Sequence, residues 1–337
     1  MIRLESPVAN QTSAAVAACV TEIVAELLNS RMPKHYWSPA TAALLATRVQ
    51  AYVTHGGDPA AIGGTTFPRT PPVPRTSRHL PSLHVPAPTP IPTLGDLMFH
   101  RYGSGTLKAN QIAGRARQVA LGHCPYCGLY MPKKPRNRSP DRDHSLPRSA
   151  FAEFSLLSVN LVVACDDCNT AKADRYVDVN GNWLFVHPYF DDFLNLRLIQ
   201  VRFDIVDGEV VPEFAVAPTC PTTARDRVQR HVKELELFER YGDSPLVEFY
   251  RHLGTARRFM ASGGTTEMVK SNFIDLAHTE LVRPNDPLGH MFLAFAQHSR
   301  LDEFLRLSRS IHATSARSVG RPIPPASDPT GHTGNPS

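Results

Sequence analysis

Two CxxC pairs, Cys124-Pro-Tyr-Cys127 and Cys165-Asp-Asp-Cys168, constrain this chain more than any other feature. A CxxC turn lets two sulfurs face one point while its backbone amides soften their charge. Two such turns supply the four thiolates that tetrahedral zinc takes at about 2.3 Å. Disulfides are the competing use of these cysteines, and they are disfavoured in a chain without a secretion signal. Thirty-seven residues separate Cys127 from Cys165, against about 15 to 20 in an ordinary zinc ribbon. A sizeable insert therefore lies between the knuckles, and a structural Zn²⁺ on Cys124, Cys127, Cys165 and Cys168 staples it.

The insert and the second knuckle carry Asp141-Arg142-Asp143-His144-Ser145-Leu146-Pro147, then Asn160-Leu161-Val162-Val163, then Cys165-Asp-Asp-Cys168-Asn169-Thr-Ala-Lys172. This order, CxxC, DHxxP, NLV and CxxCNxxK, resembles the HNH endonuclease family in its four-cysteine, zinc-bound form. The resemblance covers about 55 residues, Cys124 to Asp178. A lone Asp-His dipeptide would mean almost nothing; several spaced elements in one order are far more specific.

The resemblance implies a ββα-metal core, also called a His-Me finger. It comprises a strand ending near His144, a second strand at Asn160 to Cys165 and a helix from about Asp166 to Arg175. It also implies hydrolysis of DNA phosphodiester bonds, leaving 5′-phosphate and 3′-hydroxyl ends. His144 is then the general base, since an imidazole with an ordinary pKa of about 6.5 accepts a proton near neutral pH. Asp143 and Asn169 hold a catalytic Mg²⁺ or Mn²⁺ through hard oxygen ligands. Asn160 orients the loop that bears the histidine. Lys172 lies three residues after Asn169 and so on the same helical face, where it contacts a phosphate. Arg142, Arg148 and Arg175 are weaker candidates for that contact. Because adjacent strand residues face opposite sides, Asp143 and His144 converge only if the strand ends or bends, and a bend between them is expected.

The expected fold class is α+β, with this core flanked by helices. Residues 1–56 read as a helical N-terminal unit, with a stripe of Val16, Cys19, Val20, Ile23 and Leu27. A second helix is opened by Ser38-Pro39, carries Leu45, Val49 and Tyr52 on one face, and stops at Gly56-Gly57. Residues 57–95 contain ten prolines and read as a stiff linker. Residues 96–190 form the nuclease domain, entered by a helix from Thr106 to Leu121. In residues 191–311, apolar runs on either side of Asp207-Gly208 predict a β-hairpin, and four helices follow. The last residues, 312–337, are predicted to be disordered, having few apolar groups to offset chain entropy. His123, His187, Cys19 and Cys220 read as packing or exposed residues without a chemical role.

The net charge of +5 is unevenly spread: His100 to Arg148 holds ten Lys or Arg against two Asp. Such a local excess suits a phosphate-backbone partner, with DNA expected and RNA a remaining alternative. No apolar run approaches the roughly 20 residues that cross a bilayer, so no membrane partner is expected, and the chain is expected to be cytoplasmic. HNH modules often serve restriction and phage defence. The chain has no nucleotide-binding fingerprint, so a sensor or ATPase would be a separate chain. A catalytically inactive, zinc-stapled nucleic-acid-binding module is the alternative from another class; it needs none of Asp143, His144 and Asn169.

Overall fold

A computed structural model describes residues 39–62, 122–131, 141–155, 157–206, 209–281 and 285–306, together with Met1 and Thr21. Its architecture is mixed α+β, with small antiparallel sheets, helices and a cysteine cluster. Two compact units are present. The first comprises Met1–Leu196, Cys220–Leu235 and Arg283–Asp286; the second comprises Arg197–Thr219, Glu236–Val282 and Pro287–Ser337.

In the first unit, helix α1 (Pro39–Thr54) buries Leu45, Val49, Tyr52 and Val53. Its stop follows from Gly56 and Gly57, whose φ values of 59° and 78° lie in the left-handed region open to glycine. The chain does not become a linker at residue 57. It folds into the short helix α2 (Pro59–Ile62), whose Pro59 and Ile62 are buried, so the expected linker boundary lies too early. The expected first helix around Val16–Leu27, the helix from Thr106 to Leu121, the remainder of the proline-rich stretch and the C-terminal tail lie outside the described residues.

Strand β1 (Asp141–His144) pairs antiparallel with β2 (Leu161–Ala164), with Asp143 opposite Val162 and His144 opposite Leu161. All of β2 is buried, as expected of an apolar, β-branched run with both faces covered. Cys165 then leads into helix α3 (Asp166–Lys172), where Asp166 and Asp167 occupy the first turn and favour its positive end. The helix is shorter than the expected Asp166–Arg175. Ala173 leaves it at φ 46° and ψ −131°, a conformation costly for a residue with a Cβ.

The second unit contains the hairpin β3 (Ile199–Val206) and β4 (Glu209–Val216), with register running from Ile199 opposite Val216 to Val206 opposite Glu209. Asp207 and Gly208 themselves lie outside the described residues. Val201 and Phe203 are buried while Arg202 and Asp204 are exposed, the period-two pattern of a half-covered strand. Phe203 lies 4.9 Å from Phe249 and 5.7 Å from Phe295, ring centroid to centroid. Those partners come from α6 (Ser244–Ala261) and α8 (Pro287–Ala296).

Among the described residues, six helical segments follow the hairpin where four were expected. Besides α6 and α8 they are α4 (Thr222–Glu234), α5 (Leu237–Tyr241), α7 (Thr266–Glu280) and α9 (Leu301–Arg306). The extra segments are short. Glu236 separates α4 from α5 at φ 50°, a break that no glycine or proline announces. Moreover, α4 does not belong with the other C-terminal helices; it packs in the first unit. Among the described residues no helix is long and apolar enough to cross a membrane.

Candidate metal centre and the polar network beside it

The first knuckle is a tight loop in which Cys124 N–H donates to Leu129 O at 2.9 Å and Gly128 N–H donates to Cys124 O at 2.7 Å. Gly128, at φ 78°, supplies the reversal. The second knuckle is the junction of β2 with α3. The four thiol sulfurs all lie within 4.8 Å of one another, and three of the four cysteines are buried. Tetrahedral zinc with ligands at about 2.3 Å sets its sulfurs roughly 3.8 Å apart, and Cys127 Sγ lies 3.9 Å from Cys165 Sγ. That spacing is far beyond a disulfide bond of about 2.05 Å, and the described cysteines are free thiols. Crowding splits the group: burial pushes the Cys124 thiol up, whereas hydrogen bonding from its neighbours, Cys124 foremost, pulls Cys165 down. These four cysteines could hold a zinc ion. They are also the sole set of three or more His, Cys, Asp and Glu ligand groups gathered in this way among the described residues.

Asp143 is held from both knuckles. Tyr126, inside the first CxxC, donates its hydroxyl to Asp143 Oδ2 at 2.8 Å. Lys172, at the end of α3, places Nζ 3.3 Å from Oδ1 and 3.2 Å from Oδ2, and donates to the His144 carbonyl at 2.6 Å. Lys172 is fully buried. Its placement therefore differs from the solvent-facing phosphate contact expected from its spacing: the ammonium ties α3 to β1. Burial pushes the Asp143 carboxyl up, opposed mainly by the Lys172 charge.

This arrangement does not fit a divalent ion on Asp143. Both carboxylate oxygens are engaged, and a second cation there would sit against a buried ammonium. Asn169 lies one turn before Lys172 on α3 and is half-buried. Arg175 pairs with Glu234 and donates to the carbonyls of Ala171 and Glu234.

The expected bend between Asp143 and His144 is absent. The β1–β2 ladder runs unbroken through both, and the chain bends after them, at Ser145 and Leu146. Their side chains accordingly take different partners. His144 Nε2 lies 3.1 Å from the Ser155 carbonyl. Since a carbonyl only accepts, Nε2 carries the proton, and Nδ1 is the ring's basic nitrogen. His144 is 7% exposed.

Asn160 closes the loop around this histidine. Its Oδ1 accepts from Leu146 N–H at 2.7 Å, and its Nδ2 donates to Leu146 O at 3.0 Å and Phe154 O at 3.1 Å. Ser145 N–H donates to the Asn160 backbone carbonyl at 2.8 Å. The side chain thus clips together the two segments that flank His144 and Ser155.

Sequence reasoning missed the groups behind Asn160. Tyr52 Oη lies 2.9 Å from both Asn160 Oδ1 and His187 Nε2. Tyr189 N–H donates to His187 Nδ1 at 3.3 Å, which puts the imidazole proton on Nε2. The relay then has one direction: His187 Nε2–H donates to Tyr52 Oη, and Tyr52 donates to Asn160. His187 is fully buried, and burial first, with Arg227 and Lys172 adding to it, lowers its pKa to about 3.

A neutral buried imidazole makes stability depend on pH. Between about pH 6.5, where the unfolded residue titrates, and about pH 3, protons bind the unfolded chain preferentially, so acid favours unfolding. The stability advantage of the wild type over His187→Gln is expected to be greatest above pH 6.5. It should shrink by about 1.4 kcal/mol per pH unit below that. Urea unfolding of both proteins at several pH values measures it, and a pH-independent difference would refute the assignment.

No family model matches the chain, and no solved structure matches it. The chain is similar to Protein ea31 of Escherichia phage lambda, 28% identical over 177 residues, a match covering 48% of this chain and 56% of that protein. The chain thus spans little more than half the length of that curated relative.

Proposed function

We propose that this chain is an HNH-type endonuclease that hydrolyses phosphodiester bonds, DNA being the first substrate to test. The observation that supports this reading best is the placement of His144. It ends the first of two antiparallel strands, the second strand leads through a four-cysteine cluster into a helix, and the imidazole is held in one tautomer by the Ser155 carbonyl. Those elements carry the DHxxP, NLV and CxxCNxxK residues on which the resemblance rests.

In the proposed reaction His144 Nδ1 takes a proton from water as the water oxygen attacks phosphorus. The bond from phosphorus to the 3′-oxygen breaks, and that oxygen takes up a proton, giving 5′-phosphate and 3′-hydroxyl ends. Asn160 keeps the imidazole aimed by holding Leu146 and Phe154. The Zn²⁺ on the four cysteines is structural. Mg²⁺ or Mn²⁺ remains the proposed cation for phosphate charge, with Asn169 a candidate ligand, but no step is drawn through Asp143 while Lys172 holds it. A place in restriction or phage defence, with a sensor or ATPase on a separate chain, belongs to the same proposal.

A second reading, a zinc-stapled module that binds nucleic acid without cutting it, is favoured by the closed Asp143–Lys172 pair. One experiment separates the two. Purified protein is incubated with supercoiled plasmid and with single-stranded DNA and RNA, in Mg²⁺, Mn²⁺ or EDTA, and binding is followed against salt. Nicked or linear plasmid is expected with a divalent ion, and binding that falls steeply as salt rises. Salt-sensitive binding without cleavage under every metal supports the second reading, and neither binding nor cleavage removes both.

A further inference from the structure

We propose that helix α1 is a working part of the His144 centre, with Tyr52 and Arg48 as positioning residues that fix the two backbone segments holding the imidazole. This inference rests on the reading of His144 as a general base. One segment is Ser145-Leu146, immediately after His144. The other is Glu153-Phe154-Ser155, whose last carbonyl receives His144 Nε2–H. Asn160 bridges the two, and α1 braces each of them from behind.

Tyr52 donates to Asn160 Oδ1, the same atom that receives Leu146 N–H. The Tyr52 ring also packs 4.7 Å from the Phe154 ring. One turn earlier on the same face, Arg48 Nη2 pairs with Glu153 Oε1 at 2.8 Å, and Nε reaches the same oxygen at 3.2 Å. The Arg48 guanidinium further donates to the Ile62 carbonyl, so α2 buttresses it. Glu153 is fully buried and Arg48 is 7% exposed.

A helix that served only to cover a core would bring apolar groups, because burying a hydroxyl and an ion pair is costly unless every partner is placed. Here Arg48 meets Glu153, two residues before Ser155, and Tyr52 meets Asn160, whose side chain holds Leu146; the two also meet the Ile62 carbonyl and His187, respectively. Fully satisfied networks of this kind rigidify one geometry. Their use at a reaction centre is to hold a base where a small displacement would cost rate. Helix α1 accordingly belongs to the centre.

The test compares full-length wild type with Tyr52→Phe, which removes one oxygen, and with Leu45→Ala, which truncates an apolar side chain of the same helix that makes none of these polar contacts. Plasmid cleavage and hydrogen exchange at the Leu146 amide are both measured. In Tyr52→Phe, kcat is expected to fall about ten-fold with KM changed less than about two-fold, and Leu146 exchange to quicken. Leu45→Ala, corrected for its folded fraction, is expected to keep wild-type kcat and Leu146 protection. Arg48→Lys, which keeps the charge but loses the fork, should fall between wild type and Tyr52→Phe. Wild-type kcat in Tyr52→Phe, or equal losses in Tyr52→Phe and Leu45→Ala, overturns the proposal. If the wild type itself does not cleave, the nuclease reading fails and the catalytic part of this proposal falls with it. The Leu146 measurement still shows separately whether α1 braces the loop.

Discussion

Withdrawal of zinc is expected to unfold the first compact unit, not merely to loosen it. A structural zinc in a thiolate site contributes roughly 10 to 16 kcal/mol of apparent binding energy at neutral pH, as large as or larger than the about 5 to 15 kcal/mol that holds a typical domain together. The four thiols gather segments otherwise separated by 37 residues, so a zinc ion held by them would close a loop as well as neutralise charge. Its loss would also travel inward. Tyr126 sits between the two cysteines of the first knuckle and donates to Asp143, while its backbone carbonyl accepts from His231 Nε2 at 2.8 Å. One equivalent of zinc per chain is therefore expected on purification. A strong chelator, or Cys168→Ser, is expected to abolish the cooperative thermal transition of this unit and its near-ultraviolet dichroism. Metal analysis without zinc, together with an unchanged melting transition in Cys168→Ser, would remove the metal centre from the description of this protein.

The knuckles were legible because their chemistry is local: two cysteines at a fixed spacing announce a turn with both sulfurs on one side. The buried face of α1 and the pairing of β3 with β4 were legible for a similar reason, since a repeat of 3.6 or 2 residues states which side is covered. Lys172 shows where this kind of reading ends. Its spacing from Asn169 places both residues on one side of a helix, yet periodicity does not say whether that side meets phosphate or the protein interior. The answer depended on Asp143, 29 residues away. The missing bend at Asp143–His144 has the same origin. Convergence of the two side chains was demanded by the assigned roles, whereas the backbone ladder with Leu161 and Val162 continues straight through. Tyr52 and His187 are 135 residues apart, and no local signal joins a tyrosine on a helix to a histidine in a loop. Helix α3 ended early for a reason no propensity scale holds, an alanine at positive φ directly after the buried Lys172.

Replacement of His144 by alanine is expected to lower kcat for plasmid cleavage by about 10² to 10⁴, the range supplied by a positioned general base, while leaving plasmid affinity within about two-fold. The imidazole is nearly buried and its Nε2–H satisfies the Ser155 carbonyl. Alanine therefore also leaves a polar group unpaired, at a cost of about 1 to 3 kcal/mol in stability, and a loss of activity in that variant alone would be ambiguous. His144→Gln resolves it, because the amide can still donate to Ser155 but offers no basic nitrogen at neutral pH. Equal loss of cleavage in both variants, with His144→Gln folding at near wild-type stability, identifies proton transfer as the missing step. Asn160→Ala is expected to behave differently, since its four side-chain hydrogen bonds join Leu146, Phe154 and Tyr52. Rate and stability should decline together there. Cleavage that survives undiminished in His144→Gln would place the base elsewhere, and the tautomer fixed by Ser155 would then be a packing feature of the loop.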